Sequence, residues 1–200
     1  DRPYLNALKS AKPADRMRVL AEQEAIYGSL PGFYFDTAEY FRGVGDRDTA
    51  RILLLSALDL PSADEETMTI AAFRLQQAGE HDLAVALFER LAANAEFRPQ
   101  PKRALALALI ARAKANPNPR ARRLDLERAF VLLTEVALDP FSNNYEGIEV
   151  TALMEANAII PLIEESGGTW SLDKRLVRLL DTDVRIVIEW TNGDSDLDLW

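Results

Sequence analysis

GDRDTARILL (residues 45–54) and GEHDLAVALF (residues 79–88) repeat one local pattern at an interval of 34 residues. Each segment starts with a glycine, which is followed five residues later by an alanine and nine residues later by a large apolar residue. An interval of about 34 residues accommodates two short helices and their turns, and such helical pairs stack side by side. The spacing therefore predicts a mainly α chain, built as a right-handed α-α superhelix of helical hairpins.

The residues around the two glycines predict where the helices of each hairpin begin and end. Gly45 and Gly79 break the chain between the two helices of a hairpin, because glycine accepts the backbone conformation that closes a helix. Asp46 or Asp48 caps the helix that follows, and Pro61 closes the first hairpin. The predicted helices are 33–44, 49–60, 64–78 and 81–94.

Flanking helices are predicted on both sides of these hairpins. A proline in the first turn predicts a helix over 13–27, which Gly28 and the Pro31-Gly32 pair end. Downstream, apolar residues at helical spacing predict a long helix over 147–164, which covers the last exposed apolar face. A short helix capped by Ser171 follows it.

A third hairpin keeps the pattern but has a longer loop. Ala106 follows Ala72 by 34 residues, which places its first helix in register. In its second helix, Ala129 follows Ala84 by 45 residues instead of 34, a difference of 11. The extra residues lie in and after Asn116-Pro117-Asn118-Pro119, where two prolines exclude a continuous helix. The sequence thus predicts three hairpins.

Over roughly residues 30–140 the chain resembles the tetratricopeptide family. That family places an aromatic, a small and an aromatic residue, then glycine, alanine, an aromatic residue and alanine in a fixed order. The first hairpin follows this order with Tyr34, Ala38, Phe41, Gly45, Ala50, Leu54 and Ala57. The second follows it with Met68, Ala72, Leu75, Gly79, Ala84, Phe88 and Leu91. The resemblance implies a solenoid (TPR-like) whose first helices line a groove for an extended or helical peptide.

The resemblance also implies which side chains face that groove. Aromatic anchors among polar groups suit the capture of a peptide. Carried across by position, the groove residues are Phe35, Glu39, Arg42, Thr69, Phe73, Gln76, Gln77, Arg103, Leu107 and Ile110. Two alternatives stay open: a protein segment binds there, or the C-terminal helix or an upstream domain of the same chain fills the groove.

Composition argues against several classes of function. The chain has 200 residues and a net charge of −9, whereas general nucleic-acid binding needs clustered cations. The segment from Lys102 to Arg128 has eight basic and two acidic residues, a net +6, which is typical of a solvated basic face or of a binding site. Cysteine is absent and His81 is the single histidine, so a catalytic triad or a zinc site lacks its parts. No apolar run has the length of a membrane span. We therefore expect no enzymatic activity and no cofactor in the helical part.

The sequence pattern of the tail from residue 183 onward differs from the helical pattern that precedes it. Its apolar residues alternate, which predicts strands, and Asn192-Gly193 predicts the tight turn of a short β-hairpin. With that turn, four carboxylates share one face of the hairpin, those of Glu189, Asp194, Asp196 and Asp198. Like charges side by side destabilise a hairpin, so we expect either full solvation or a bound cation. Calcium is the cation whose preferred oxygen ligands fit this set.

The tail also resembles the opening strands of a β-rich domain of unknown function, which follows tetratricopeptide-like regions in bacterial extracytoplasmic proteins. This resemblance implies an extracytoplasmic (periplasmic) location, with the cytoplasm as the alternative. We divide the chain into a solenoid (1–165), a linker with a short helix (166–182) and the hairpin of a truncated β domain (183–200). Both ends look cut, so we expect upstream and downstream domains in a longer chain.

Together these patterns predict a non-enzymatic scaffold that binds a peptide or a neighbouring domain in a helical groove. The alternative is a structural spacer that presents the C-terminal β domain, with or without calcium.

Overall fold

The computed structural model describes residues 2–95, 97–141, 145 and 147–178. Within these residues the chain forms nine α-helices and no strand, which confirms the predicted mainly α class. None of the helices in this part of the chain has both the length and the apolar character needed to cross a bilayer. The hairpin predicted over 183–200 lies outside the described residues. The helices are α1 Pro3–Ser10, α2 Arg16–Tyr27, α3 Pro31–Gly43, α4 Arg47–Ser56, α5 Glu65–Gln77, α6 His81–Ala93, α7 Pro99–Ala115, α8 Pro119–Leu138 and α9 Ile148–Glu165.

The helices pair and stack in the order of the chain. α3 packs on α4, α5 on α6 and α7 on α8, which gives three hairpins. Successive hairpins meet through α4 with α5 and through α6 with α7, and α9 packs on α8. Contacts between nearest neighbours are the organisation of a helical repeat. One core of buried side chains extends from Tyr4 in α1 to Ile163 in α9.

Gly45 and Gly79 close their helices with the same hydrogen-bonded turn. Both have a positive φ, 88° and 84°. The N–H of Gly45 donates to the carbonyl three residues back, and the next N–H donates to the carbonyl five residues back, at 3.1 and 2.9 Å; the turn at Gly79 repeats both bonds at 3.0 and 2.9 Å. Glycine suits this left-handed position because it has no Cβ. Equal spacing in the sequence thus corresponds to equal geometry in the fold.

Small side chains lie at the equivalent core positions of all three hairpins. Alanine at these positions lets two helix backbones approach, and larger residues fill the space around them. Phe41 and Phe88 are among these larger residues, and both are buried. The alanines, each 4% exposed or less, are Ala38, Ala50, Ala72, Ala84, Ala106 and Ala129.

The third hairpin keeps this packing despite its longer loop. α8 begins at Pro119, so the helix break predicted from the two prolines is confirmed. The side chain of Asn118 accepts hydrogen bonds from two backbone N–H groups at the start of α8, at 3.0 and 3.3 Å, and thereby caps the helix. Ala129 and Leu133 are fully buried, as the shifted register predicts.

The N-terminal part differs from the prediction in two places. Pro31 does not end a helix; it lies in the first turn of α3, where its missing N–H leaves no hydrogen bond unmade. No helix is predicted from the sequence before residue 13, because the eight residues of α1 are too few for a clear apolar period. Tertiary contacts hold α1 on α3: the Tyr4 hydroxyl donates to Asp36 at 2.6 Å, and the Tyr40 hydroxyl donates to the carbonyl of Leu8 at 2.9 Å.

The segment after α9 also differs from the prediction. The sequence predicts a short helix from Ser171, whereas residues 171–178 are irregular apart from one turn at 174–176. Two backbone hydrogen bonds within the segment form that turn, at 2.8 and 3.4 Å. Beyond the turn, the carbonyl of Leu176 and the N–H of Arg178 bond to the side chain of Asn157 on α9. A side chain of α9 thus satisfies backbone groups that a longer local helix would have paired.

Candidate peptide-binding surface

Long-range contacts place the first helices of successive hairpins side by side. Arg74 on α5 donates to the carbonyl of Phe35 on α3 at 3.2 Å. Arg98, just before α7, forms a two-point ion pair with Glu65 on α5, at 2.5 and 2.9 Å; the hydrogen bonding lowers the pKa of the Glu65 carboxyl. α3, α5 and α7 therefore form one side of the stack, which we name the first-helix surface.

Phe73 is the exposed aromatic side chain of this surface. It is 43% exposed, yet its ring packs edge-on against the buried ring of Phe88 on α6, with centroids 4.9 Å apart and an interplanar angle of 73°. A ring held by the core on one side loses little conformational freedom when a partner covers the other side. The residue is thus ordered before any partner arrives.

Polar side chains accompany Phe73 on the same face of α5. Thr69, Gln76 and Gln77 are four residues before it and three and four residues after it, which is the spacing of one helical face. Thr69 donates to the carbonyl of Glu65 at 2.8 Å. The Oε1 atom of Gln76 is buried and accepts no hydrogen bond, and Gln77 is exposed. Three of the predicted groove residues therefore surround the aromatic ring.

The groove positions of the first hairpin divide into a buried one and an exposed pair. Phe35 is only 5% exposed, because the guanidinium of Arg74 lies over its ring, 5.6 Å from the centroid. Phe35 is therefore part of the core in this structure. Glu39 and Arg42 are exposed and form an ion pair with an Nε–Oε2 distance of 2.9 Å, and the hydrogen bond lowers the pKa of Glu39.

The groove positions of the third hairpin are largely covered. Arg103 is 4% exposed and donates to Glu155 on α9 from Nε and Nη2, at 2.7 and 2.5 Å. Ile110 is 8% exposed, and Leu107 is half-buried. At this end of the stack, the contact with α9 covers Arg103. The open part of the first-helix surface is centred on α5.

Carboxylates on other helices pair with many basic residues of the basic segment. Arg112 on α7 donates to Asp125 on α8 at 2.8 and 2.7 Å and to Asp82 on α6 at 3.1 Å. The hydrogen bonding to Asp125 is the main reason that the pKa of Arg112 is raised. Three further basic residues are paired with Glu135, Glu155 and Glu89, namely Lys102, Arg103 and Arg128. Acidic residues outside the segment thus offset much of its net charge of +6.

A cleft of about 350 Å³ opens at the start of α5. It was not predicted from the sequence. Met68 and Leu91 contribute its apolar wall, and Glu65 and Arg90 contribute charged groups. Met68 and Leu91 belong to the repeat pattern, which predicts core positions and not a cleft. The volume is at the lower end of the range for small-ligand sites.

The predicted calcium ligands Glu189, Asp194, Asp196 and Asp198 lie outside the described residues. Within the described residues, no group of three or more His, Asp or Glu side chains is placed to hold a metal ion. The candidate site therefore consists of the first-helix surface and its aromatic residue.

The helical-repeat architecture rests on the two equivalent glycine turns, the buried alanines and the nearest-neighbour packing of the hairpins. No protein-family model matches the chain, and neither a curated protein nor a solved structure matches it.

Proposed function

We propose that the chain is a non-enzymatic scaffold, related in design to tetratricopeptide solenoids, that binds a peptide segment on the first-helix surface. The segment belongs to another protein or to a neighbouring domain. The observation that carries the proposal is the state of Phe73, which is fixed against Phe88 on one edge and 43% exposed on the other. Ordered aromatic residues that face solvent among polar groups are typical anchors of protein interfaces.

The surroundings of Phe73 offer different chemistry on its two sides. Toward α3 lie the charged side chains of Glu39 and Arg42, which are exposed and already paired with each other. Toward α7 lies the half-buried apolar side chain of Leu107. A segment that crosses α5 would therefore meet a polar rim, an aromatic anchor and an apolar edge in turn.

Gln76 supports recognition of the partner's backbone. Its Oε1 atom has no hydrogen-bond donor in the described structure, and an unmet acceptor in a protein interior carries a free-energy cost. Rotation of the amide toward a bound segment would give this oxygen a backbone N–H donor. Hydrogen bonds to the main chain let a scaffold hold an extended segment. The exposed ring of Phe73 would then select the side chain that packs on it.

A peptide selection tests this proposal. Peptides are selected from a random displayed library on the full chain, and the affinity of each selected peptide is then measured for wild type, Phe73→Ala and Phe97→Ala. Phe97 is 78% exposed and is the matched control for loss of an exposed aromatic ring. We expect Phe73→Ala to weaken binding at least about ten-fold, or ~1.4 kcal/mol, and Phe97→Ala to bind like wild type.

The opposite result has a definite meaning. If the selected peptides bind Phe73→Ala as tightly as wild type, the first-helix surface is not the binding site, and the structural spacer becomes the better description. Phe35→Ala is not a suitable variant here, because Phe35 is 5% exposed and its loss would damage the core.

A further inference from the structure

The residues after α9 run back over α9 and α8 as a segment that we name the strap (residues 169–178). The backbone N–H of Thr169 donates to Glu127 on α8 at 2.8 Å. The ring of Trp170 lies 6.0 Å from the ring of Phe130 on α8, and its Nε1–H donates to Glu164 on α9 at 3.1 Å. The start of the strap therefore lies across both helices.

Asn157 on α9 holds the other end of the strap by its backbone. The side chain is 3% exposed. Its Nδ2 donates to the carbonyl of Leu176 at 3.1 Å, and its Oδ1 accepts from the N–H of Arg178 at 2.6 Å. One buried amide thus bonds to the main chain on both sides of Val177. Such a pair of bonds recognises the main chain and is independent of the side chain between them.

The strap has few apolar contacts with the helices. Trp170, Leu172 and Val177 are partly buried against the core, and the strap contains no helix of its own. In the preceding hairpins, the second helix lies against the first; after α9, the strap lies there instead. A segment held by three partly buried side chains and a few hydrogen bonds is expected to open locally before the helices do.

The chain enters the strap through two glycines. Gly167 has a φ of 71°, which favours glycine. At Gly168, a Cβ atom would lie 2.8 Å from Cγ2 of Ile163 and 2.9 Å from Oε1 of Glu127, closer than real side chains approach. This pair of glycines lets the chain turn closely onto the α8–α9 face.

We propose that the α8–α9 face is a docking site for the strap peptide, which the chain's own strap occupies in cis and the strap of a second copy occupies in trans. In either case Asn157 binds the peptide backbone on both sides of Val177, and the ring of Trp170 packs against Phe130. A short tether keeps the strap at an effective concentration of roughly millimolar, so the cis strap excludes the trans strap until it is released. This site is separate from the first-helix surface and does not depend on it.

A strap-released variant of the full chain tests the proposal. Trp170→Ala together with Arg178→Pro removes the aromatic contact and the N–H bonded to Asn157, and leaves α8 and α9 unchanged. The probe is a fluorescein-labelled peptide of residues 168–178, GTWSLDKRLVR, and binding is read by fluorescence anisotropy. We expect the peptide to bind the released variant at least about ten-fold more tightly than wild type, whose site is filled.

Two controls identify the site. In the released background, Asn157→Leu keeps an apolar core at a similar volume but removes both backbone bonds, and it should weaken the peptide about ten-fold or more. A probe with alanine in place of its tryptophan should be weakened as well. Equal binding to the Asn157→Leu variant, or no binding to the released variant, overturns the proposal.

Hydrogen exchange in the otherwise unchanged chain gives an independent readout. Asn157→Leu alone should speed exchange of the Thr169 and Arg178 amides about ten-fold or more, whereas amides in α5 keep their wild-type rates. Unchanged exchange at Arg178 would mean that Asn157 does not hold the strap, which also overturns the proposal.

Discussion

Arg103 of α7 and Glu155 of α9 form a two-point ion pair at 2.7 and 2.5 Å, with side chains only 5% and 13% exposed. The pair joins the third hairpin to the helix that follows it. Because α9 also packs on α8, it continues the stack in the position of a further first helix. The relationship explains why Arg103, a predicted groove residue, is covered.

Removing one partner of this pair should destabilise the fold strongly. Arg103→Ala leaves the Glu155 carboxylate buried without its cation, and we expect a loss of about 3–5 kcal/mol in the free energy of unfolding by urea. The double variant Arg103→Leu, Glu155→Leu has no buried charge and should recover much of that loss. Equal destabilisation by the single and double variants would show that the ion pair is not the cause.

Two glycines that are two residues apart should respond to alanine with opposite signs. Gly45 has a φ of 88°, so Gly45→Ala should cost about 1–2 kcal/mol of stability. Gly43 is the last residue of α3, and no atom lies within 4 Å of an added Cβ, so Gly43→Ala should stabilise by up to about 0.5 kcal/mol. Urea melts of both variants check this. The same sign for both would contradict the assigned end of α3.

The local signals of the sequence account for α3 to α6. Gly45 and Gly79 act through their own backbone conformation, and Ala50 and Ala84 act through their own small size, so each position carries its information by itself. The turn geometry is accordingly the same in the two hairpins. A pattern of this kind needs no knowledge of distant residues.

The distant contacts could not be predicted in the same way. Phe35 and Phe73 are both aromatic residues at predicted groove positions, but Arg74 of the next hairpin covers only Phe35. The basic segment appears unbalanced along the chain, yet Arg112 is paired with Asp82 across two hairpins. The role of Asn157 has no local signal either, because two of its partners are backbone groups of the irregular strap. Exposure and charge balance are therefore properties of the packed stack.

The alanine positions provide a test of the close packing within the hairpins. Ala84 is fully buried, whereas Ala86 on the same helix is exposed. Ala84→Leu, like Ala50→Leu in the first hairpin, should overpack its site and lower the free energy of unfolding by about 1–3 kcal/mol. Ala86→Leu is the matched control and should stay within about 0.5 kcal/mol of wild type. Thermal or urea melts measure the difference, and a neutral Ala84→Leu would contradict the packing.

The raised pKa of the Tyr4 hydroxyl predicts a loss of folding stability at high pH. Burial, together with the hydrogen bond to Asp36, raises the pKa of the Tyr4 hydroxyl from 10.0 to about 12. A raised pKa means that the folded state favours the neutral phenol. Its contribution is therefore complete below pH ~10 and is lost as the pH rises toward ~12. Two pKa units correspond to about 2–3 kcal/mol.

The variant Tyr4→Phe separates this effect from other alkaline titrations. It loses the hydrogen bond to Asp36, so we expect it to be less stable than wild type at pH 8, by about 1–2 kcal/mol. Because it has no hydroxyl to ionise at this position, its stability should fall less steeply between pH ~10 and ~12, the interval between the two pKa values of Tyr4. The two curves should therefore converge as the pH rises, as measured by urea midpoints at each pH. Parallel curves would mean that Tyr4 ionises in the folded state as readily as in the unfolded chain, which contradicts its buried contact with Asp36.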